Sequence, residues 1–225
     1  MKLLAALFIS ASLSYLLGSC NSAIIVVKIL KGKDVRDYGS KNAGLTNTLR
    51  CFGKVAALFT LLGDLAKGVV AVLISRFVFC LLGIGIGTSA DTRFVGYVAG
   101  FFVIVGHILP IFYGFKGGKG ILLAATVLLA TDPITFAIVI PFFAVILAIT
   151  RYVSVSSILS AIAYPIITFL TQTYIRELPA DLVRLHTILV AGTSVLLIFM
   201  HRTNIIRLKN GTENKFSFKS SGVVK

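Results

Sequence analysis

Charged residues are scarce in this 225-residue chain, and acidic ones are the scarcest. Only 13% of its residues are Asp, Glu, Lys or Arg, whereas a soluble globular domain carries about 25%. Because 57% of the residues are also hydrophobic, the composition excludes a soluble domain and indicates an integral membrane protein. The net charge of +14 would suggest nucleic acid as the partner of a soluble protein. In a membrane protein, basic loops beside the spans explain it, so we expect no nucleic acid.

Metal-binding patterns are also missing from the sequence. The three cysteines, Cys20, Cys51 and Cys80, are odd in number and widely spaced, and no CxxC or Cys/His pattern accompanies them. This spacing argues against a disulfide framework and against a zinc site. The polar segments hold almost no carboxylates beyond Asp34 and Asp37, which argues against a magnesium site. We therefore expect neither a metal nor a cofactor.

Long apolar runs fill most of the chain and predict an all-α membrane protein with about seven transmembrane helices. Two neighbouring runs are divided at Thr131-Asp-Pro133, because a proline after a polar pair favours a turn. The first half is short, so it must be tilted, re-entrant or shielded by its neighbours. The first run is read as a retained helix and not as a cleaved signal peptide. The expected spans are 3–30, 55–82, 94–113, 120–130, 133–150, 154–172 and 182–200.

The distribution of basic residues predicts the orientation of these spans. With seven crossings, fifteen of the 22 Lys and Arg residues fall on one side and four on the other. By the positive-inside rule, the N-terminus is then outside and the C-terminus is cytoplasmic. We expect one helical membrane domain over residues 1–208 and a basic cytoplasmic tail over residues 209–225.

Four short polar segments separate the apolar runs and share one chemistry. We call residues 34–50 the first island, 107–120 the second, 151–157 the third and 201–207 the fourth. All four are expected on the cytoplasmic side. They combine glycines, hydroxyl groups and basic side chains, and such groups bind oxyanions through backbone N–H groups and positive charge. The sequence therefore predicts a site for phosphorylated molecules at the membrane surface.

Candidate binding residues lie in each island. The first offers two glycines with polar side chains, and Arg50 can reach the same anion if a helix has begun by Asn47. In the second, lysines bracket a glycine pair; in the third, serines follow an arginine; in the fourth, His201 and Asn204 share a helix face. The residues expected to bind substrate are Gly39, Asn42, Gly44, Thr46, Asn47, Lys116, Gly117, Gly118, Gly120, Ser154 and Ser156.

Plainer interpretations of the same residues remain open at this stage. The islands could be glycine-rich turns, helix caps and basic membrane anchors. Asp64 and Lys67, three residues apart within an apolar run, favour an intrahelical ion pair, with proton or ion coupling as the alternative. A transporter of a small phosphorylated anion is the competing function. A purely structural membrane subunit would leave the glycine-lysine segment unexplained.

Taken together, the islands resemble those of the bacterial acyl-phosphate:glycerol-3-phosphate acyltransferase family, PlsY. That family carries a GSxNxGxTNxxR loop, an HxxPxxxxFKGGKG segment, a serine-bearing third loop and an HRxNIxRLxxGxE stretch. Here these stand, in the same order, at residues 39–50, 107–120, 151–157 and 201–213. The chain departs from the family at Lys41, where the family usually has glycine, and at Leu45, where it usually has alanine.

The resemblance implies acyl transfer from an acyl phosphate to the 1-hydroxyl of sn-glycerol 3-phosphate, the first step of phospholipid synthesis. The products would be 1-acylglycerol 3-phosphate (lysophosphatidate) and phosphate. It further implies a multi-pass protein of the bacterial inner membrane that contacts lipid and acts as a monomer or weak homodimer. Either His201 or a substrate phosphate would serve as the general base. The implied catalytic residues are Ser40, Arg50, Lys119, His201 and Asn204.

Overall fold

The computed structural model describes residues 1–84 and 93–216, and within them the chain is a bundle of nine α-helices without strands. The all-α prediction is therefore confirmed. Six apolar segments are long enough to cross a membrane, and the helix at Ile121–Thr131 is a shorter seventh. The helices are α1 Lys2–Ser19, α2 Ser22–Lys31, α3 Leu45–Leu81, α4 Arg93–Ile108, α5 Ile121–Thr131, α6 Pro133–Thr150, α7 Val153–Leu170, α8 Ala180–Met200 and α9 Arg202–Lys209.

The first apolar run is broken into α1 and α2, where the sequence predicted one continuous helix. The break lies at Cys20 and Asn21, and the Asn21 side chain explains it. Its Oδ1 accepts a hydrogen bond from the Ile24 N–H at 3.1 Å, which caps α2. Its Nδ2 donates to the Ala43 carbonyl at 3.3 Å. The break therefore ties the first apolar run to the first island.

Helix α5 is short, as the sequence predicted, and its neighbours shield it, which was one of the three arrangements left open. Eleven residues extend only about 16 Å, against a hydrocarbon thickness of about 30 Å. Glycines let the adjacent helices approach it closely: a Cβ on Gly68 of α3 would lie 2.8 Å from Thr126, and one on Gly100 of α4 would lie 2.2 Å from Val127. Helices α3 and α4 thus cover most of α5 with protein.

A buried carboxylate stabilises the far end of α5. Asp132 is fully buried and accepts hydrogen bonds from Tyr97 at 3.3 Å, Gln172 at 3.1 Å and Arg176 at 3.1 Å. Tyr97 lies near the start of α4, and the other two follow the end of α7. These side chains satisfy the polar groups between α5 and α6, so the two helices can turn inside protein and not against lipid.

Candidate active site

All four islands meet at one end of the bundle, around a cavity of about 390 Å³. Asp132 lies at the opposite end, because it contacts the start of α4 and the end of α7, while the end of α4 and the start of α7 border the cavity. The first and fourth islands therefore lie at the same end of the bundle. The six helices between them, α3 to α8, cross the bundle an even number of times. The predicted site residues that line the cavity are Ser40, Asn42, Gly44, Thr46, Asn47, Arg50, Lys119, Gly120, Ser154, His201 and Asn204.

Five predicted substrate-binding residues are not among those that line the cavity. Lys116 and Gly117 border a shallow cleft on the surface beside it. Ser156 is fully buried, and its hydroxyl donates to the Tyr152 carbonyl at 3.1 Å. Gly39 and Gly118 are packed against neighbouring side chains, where a Cβ would collide. Gly39, Gly118 and Ser156 therefore pack within the protein, whereas the side chain of Lys116 is exposed.

Asn47 organises the first island from within. Its side chain is 1% exposed, and its Oδ1 accepts a hydrogen bond from the Ser40 N–H at 2.9 Å. Its Nδ2 donates to the carbonyls of Val35 at 3.1 Å and Tyr38 at 2.9 Å. Because both ends of the amide are occupied by backbone groups, Asn47 holds the loop that presents Ser40 to the cavity.

The glycine-lysine loop, residues 114–120, is folded back onto the end of α4. The N–H groups of Gly117 and Gly118 donate to the carbonyls of Ile108 and His107, both at 3.1 Å. A Cβ on Gly118 would lie 2.2 Å from Nε2 of His107 and 2.6 Å from the Ala43 carbonyl oxygen. The glycines thus serve close packing, and the tight loop carries Lys119 into the cavity.

Three helices begin at the cavity wall and add positive potential to it. Helix α3 follows Gly44, α5 follows Gly120 and α7 begins at Val153, and all three residues line the cavity. The first N–H groups of a helix have no intrahelical partner and favour anions. Arg50 and Arg207 also line the cavity, so its polar end suits phosphate groups.

Lys119 joins the second island to the fourth. Its ammonium donates a short hydrogen bond to Oδ1 of Asn204. Burial lowers the pKa of Lys119 to about 8, helped by the positive charges of Arg207 and Arg50, while Glu213 opposes the shift. The protein's own carboxylates therefore compensate the ammonium poorly, and an anionic ligand would stabilise it.

His201 is neutral and has a defined tautomer. Its Nδ1 lies 2.8 Å from the Leu197 carbonyl oxygen, which can only accept, so the proton is on Nδ1 and Nε2 is an acceptor. Burial lowers the pKa of His201 to about 4, and the charge of Lys119 contributes to the shift. A ring with so low a pKa is a weak proton acceptor.

The first residues of the tail contact the site, an arrangement that the sequence did not predict. Glu213 accepts hydrogen bonds from Asn204 at 2.7 Å and Arg207 at 2.6 Å. These bonds outweigh the effect of burial and hold the pKa of Glu213 below its usual value. The N–H of Phe216 donates to the Arg151 carbonyl at 2.7 Å. The signals in the sequence were a carboxylate within a basic tail and its position at the end of the HRxNIxRLxxGxE stretch; residues 217–225 lie outside the described residues.

An apolar cleft between α5, α6 and α7 continues from the cavity. Ala125, Ile140 and Phe143 border both spaces, and the cleft extends to Leu128 and Tyr164. Helix α6 is largely exposed on its outer side, where a membrane would place lipid. The site thus combines a basic end with an apolar extension that matches an acyl chain in character.

Comparison with known proteins assigns the family. The family model described as glycerol-3-phosphate acyltransferase matches residues 8–211. The glycerol-3-phosphate acyltransferase of Chlorobaculum tepidum is 38% identical, with 91% of this chain and 94% of that protein covered. That of Clostridioides difficile is 39% identical, with 94% and 96% covered.

A solved structure shares the fold as well as the sequence. The crystal structure of PlsY, an integral membrane glycerol 3-phosphate acyltransferase, in its glycerol 3-phosphate form superposes with a TM-score of 0.74 at 31% identity. The match covers 95% of this chain and 96% of that one. The lysophosphatidic acid form gives a TM-score of 0.69 at 30% identity, with the same coverage. This chain therefore belongs to the glycerol-3-phosphate acyltransferase family represented by PlsY.

Proposed function

We propose that this protein transfers a fatty acyl group from an acyl phosphate to the 1-hydroxyl of sn-glycerol 3-phosphate. The products are lysophosphatidate and inorganic phosphate. One observation carries the proposal: a cavity lined by basic groups and helix N-termini opens into an apolar cleft. Such a cavity accommodates two phosphorylated substrates, one of which carries a long hydrocarbon chain.

The donor fits the first and third islands. Its phosphate lies among Ser40, Asn42, Thr46 and Ser154, where the N-termini of α3 and α7 favour negative charge. Its chain extends past Ala125 along the apolar cleft. An acyl phosphate already holds a good leaving group, so no acyl-enzyme is required and the site contributes mainly position and charge.

The acceptor fits the second and fourth islands. Arg50 and Lys119 bind the phosphate of glycerol 3-phosphate, and Asn204, held by Lys119 and Glu213, orients the glycerol. Nε2 of His201 accepts a hydrogen bond from the substrate. A phosphate has a second pKa of about 6, closer to neutral pH than the value of about 4 for His201. We therefore assign the hydroxyl proton to a substrate phosphate oxygen and not to His201.

The protein works in the bacterial cytoplasmic membrane with its site on the cytoplasmic side. In the seven-span arrangement predicted from the sequence, fifteen of the 22 basic residues are assigned to the same side as the four islands, which favours this orientation. The family resemblance implies that the protein acts as a monomer or a weak homodimer. Reporter fusions at the two termini should give an external N-terminus and a cytoplasmic C-terminus.

Purified protein in detergent, given labelled glycerol 3-phosphate, tests the reaction. We expect labelled lysophosphatidate with palmitoyl phosphate and none with palmitoyl-CoA. Formation of product from the CoA ester alone would refute the donor and keep the acyl transfer. A folded protein that is inactive with both donors would refute the proposed reaction.

Two lysine variants test the site with matched chemistry. Lys119→Ala should abolish most of the activity while the protein stays folded, because Lys119 lines the cavity. Lys209→Ala removes an exposed lysine just after the fourth island and should leave the activity unchanged. Near-full activity of Lys119→Ala would contradict the role given to this side chain.

A further inference from the structure

A buried group of three ionisable side chains lies beneath the glycine-lysine loop. Asp64 and Lys67 of α3 are 2% and 7% exposed, and His107 at the end of α4 is 3% exposed. The Lys67 ammonium lies 2.9 Å from Oδ1 of Asp64 and 3.0 Å from Nδ1 of His107. The intrahelical ion pair predicted from the sequence is present, and it continues to a histidine on another helix.

Lys67 also neutralises the end of a helix. Its ammonium donates to the carbonyls of Cys20 at 3.3 Å and Gly18 at 3.5 Å, where α1 stops. The last carbonyls of a helix lack intrahelical partners and carry partial negative charge. The ammonium thus shares its three hydrogens among four acceptors, the Asp64 carboxylate, these two carbonyls and Nδ1 of His107, of which the Gly18 carbonyl is the most distant.

The geometry determines the tautomer of His107. An ammonium group has hydrogens to donate and no lone pair, so Nδ1 of His107 accepts and the proton must lie on Nε2. That nitrogen faces the backbone of Gly118, which is wedged between the imidazole and the Ala43 carbonyl. His107 also lines the cavity. The imidazole thus lies at the junction of the first island and the glycine-lysine loop.

We propose that Asp64, Lys67 and His107 form a positioning unit for acyl transfer. Lys67 holds His107 with its proton on Nε2, and the ring in this state sets the glycine-lysine loop so that Lys119 points into the cavity. The three residues act through Lys119 and do not react with substrate. The effect on catalysis rests on the proposed function, whereas the tautomer does not.

The tautomer can be measured without any substrate. Nδ1 of His201 donates to Leu197. Nδ1 of His186 lies 2.9 Å from Oε1 of Gln172, whose amide nitrogen already donates to Asp132, so His186 also carries its proton on Nδ1. His107 is then the one imidazole of the three with its proton on Nε2. Nitrogen-15 NMR of histidine-labelled protein should show two rings that are protonated on Nδ1 and one that is protonated on Nε2.

A neutral double variant tests the unit without leaving a buried charge unpaired. Lys67→Met alone would strand the Asp64 carboxylate and could prevent folding, so we choose Asp64→Asn with Lys67→Met. We expect the Nε2–H signal to be lost from its wild-type position. The KM for glycerol 3-phosphate should rise about tenfold, the loss of about one hydrogen bond to a charged group, while the KM for palmitoyl phosphate changes little.

A matched control separates positioning from general destabilisation. Asp132→Asn with Arg176→Met neutralises an ion pair between a buried aspartate and a partly exposed arginine at the far end of the bundle. It should lower the melting temperature and leave both the His107 signal and the KM for glycerol 3-phosphate unchanged. Equal KM changes in the two double variants would overturn the proposal, as would a wild-type spectrum with no Nε2–H ring.

Replacement of the imidazole itself gives a second test. His107→Gln keeps an N–H near the position of Nε2, whereas His107→Asn keeps a polar atom only near Nδ1. We expect the glutamine variant to retain most of the wild-type kcat/KM for glycerol 3-phosphate and the asparagine variant to lose about tenfold. Equal activity of the two folded variants would refute the role of the Nε2 proton. If wild-type protein transferred no acyl group while the NMR result held, the proposed function would fail and the tautomer would stand.

Discussion

The pH dependence of the acyl transfer follows from the environment of Lys119. Burial and the positive charges of Arg207 and Arg50 lower its pKa to about 8, against an opposing effect of Glu213. If the ammonium binds the phosphate of glycerol 3-phosphate, kcat/KM for this substrate reports the charged fraction of Lys119 in the free enzyme. The charged form dominates below pH 8 and is lost above it, so kcat/KM should fall as the pH rises.

The size of the fall can be worked out from that pKa. At pH 9 about one-tenth of the Lys119 side chains would be charged, so kcat/KM should drop about tenfold from its plateau near pH 7. His201 adds no second transition in this range, because its pKa of about 4 leaves it neutral throughout. The second ionisation of the substrate phosphate, near pH 6, falls well below the expected limb.

The assay is the initial rate of lysophosphatidate formation from pH 6 to 9.5, with saturating palmitoyl phosphate and with spontaneous donor hydrolysis subtracted. Lys119→Arg is the matched variant, since a guanidinium keeps its proton across this range. Its residual activity should show no limb near pH 8. A flat wild-type profile between pH 7 and 9.5 would refute the reasoning, and so would a limb that persists unchanged in the arginine variant.

Three further substitutions test the loops, the far end of the bundle and the apolar cleft. Lys41 has a φ of 58°, so Lys41→Gly should stabilise the protein by about 0.5–1 kcal/mol, seen as a higher melting temperature with unchanged activity. Asp132→Ala removes the acceptor shared by the buried donors at the far end and should cost roughly 3–5 kcal/mol; a melting temperature equal to that of wild type would contradict the account of α5. Ala125→Phe narrows the apolar cleft, so the loss of activity should be about tenfold greater with palmitoyl phosphate than with an eight-carbon donor. Leu129→Phe, at an exposed position of the same helix, should affect the two donors equally.

Patterns that are local in the chain were enough to predict most of the fold. The apolar runs predicted α4 to α8 within a few residues, and α6 at its observed bounds, because the length of a span is set by membrane thickness and its ends by polar residues. The break at Asn21 was not predicted. Its cause is a hydrogen bond to Ala43, a residue 22 positions away, and composition carries no trace of such a contact.

The candidate site divides in the same way. Residue type and spacing predicted the anion-binding chemistry of the islands, and eleven of the sixteen predicted site residues line the cavity. The sequence could not separate side chains that face the cavity from those that build its wall, such as Gly118 and Ser156, because both kinds are small or polar. Nor could it place Glu213, whose partners Asn204 and Arg207 are brought to it by a turn after α9.

The sequence by itself determined the membrane class, the positions of most helices and the oxyanion chemistry, since these depend on composition, the lengths of apolar runs and short-range spacing. Only the tertiary structure decided that Lys67 donates a hydrogen bond to Nδ1 of His107, that His107 and His201 carry their protons on different nitrogens, and that Lys119 has a lowered pKa. Each of these depends on distances between atoms of separate helices or loops. Such distances are set by packing, and packing therefore decides which hydrogen-bond donor meets which acceptor.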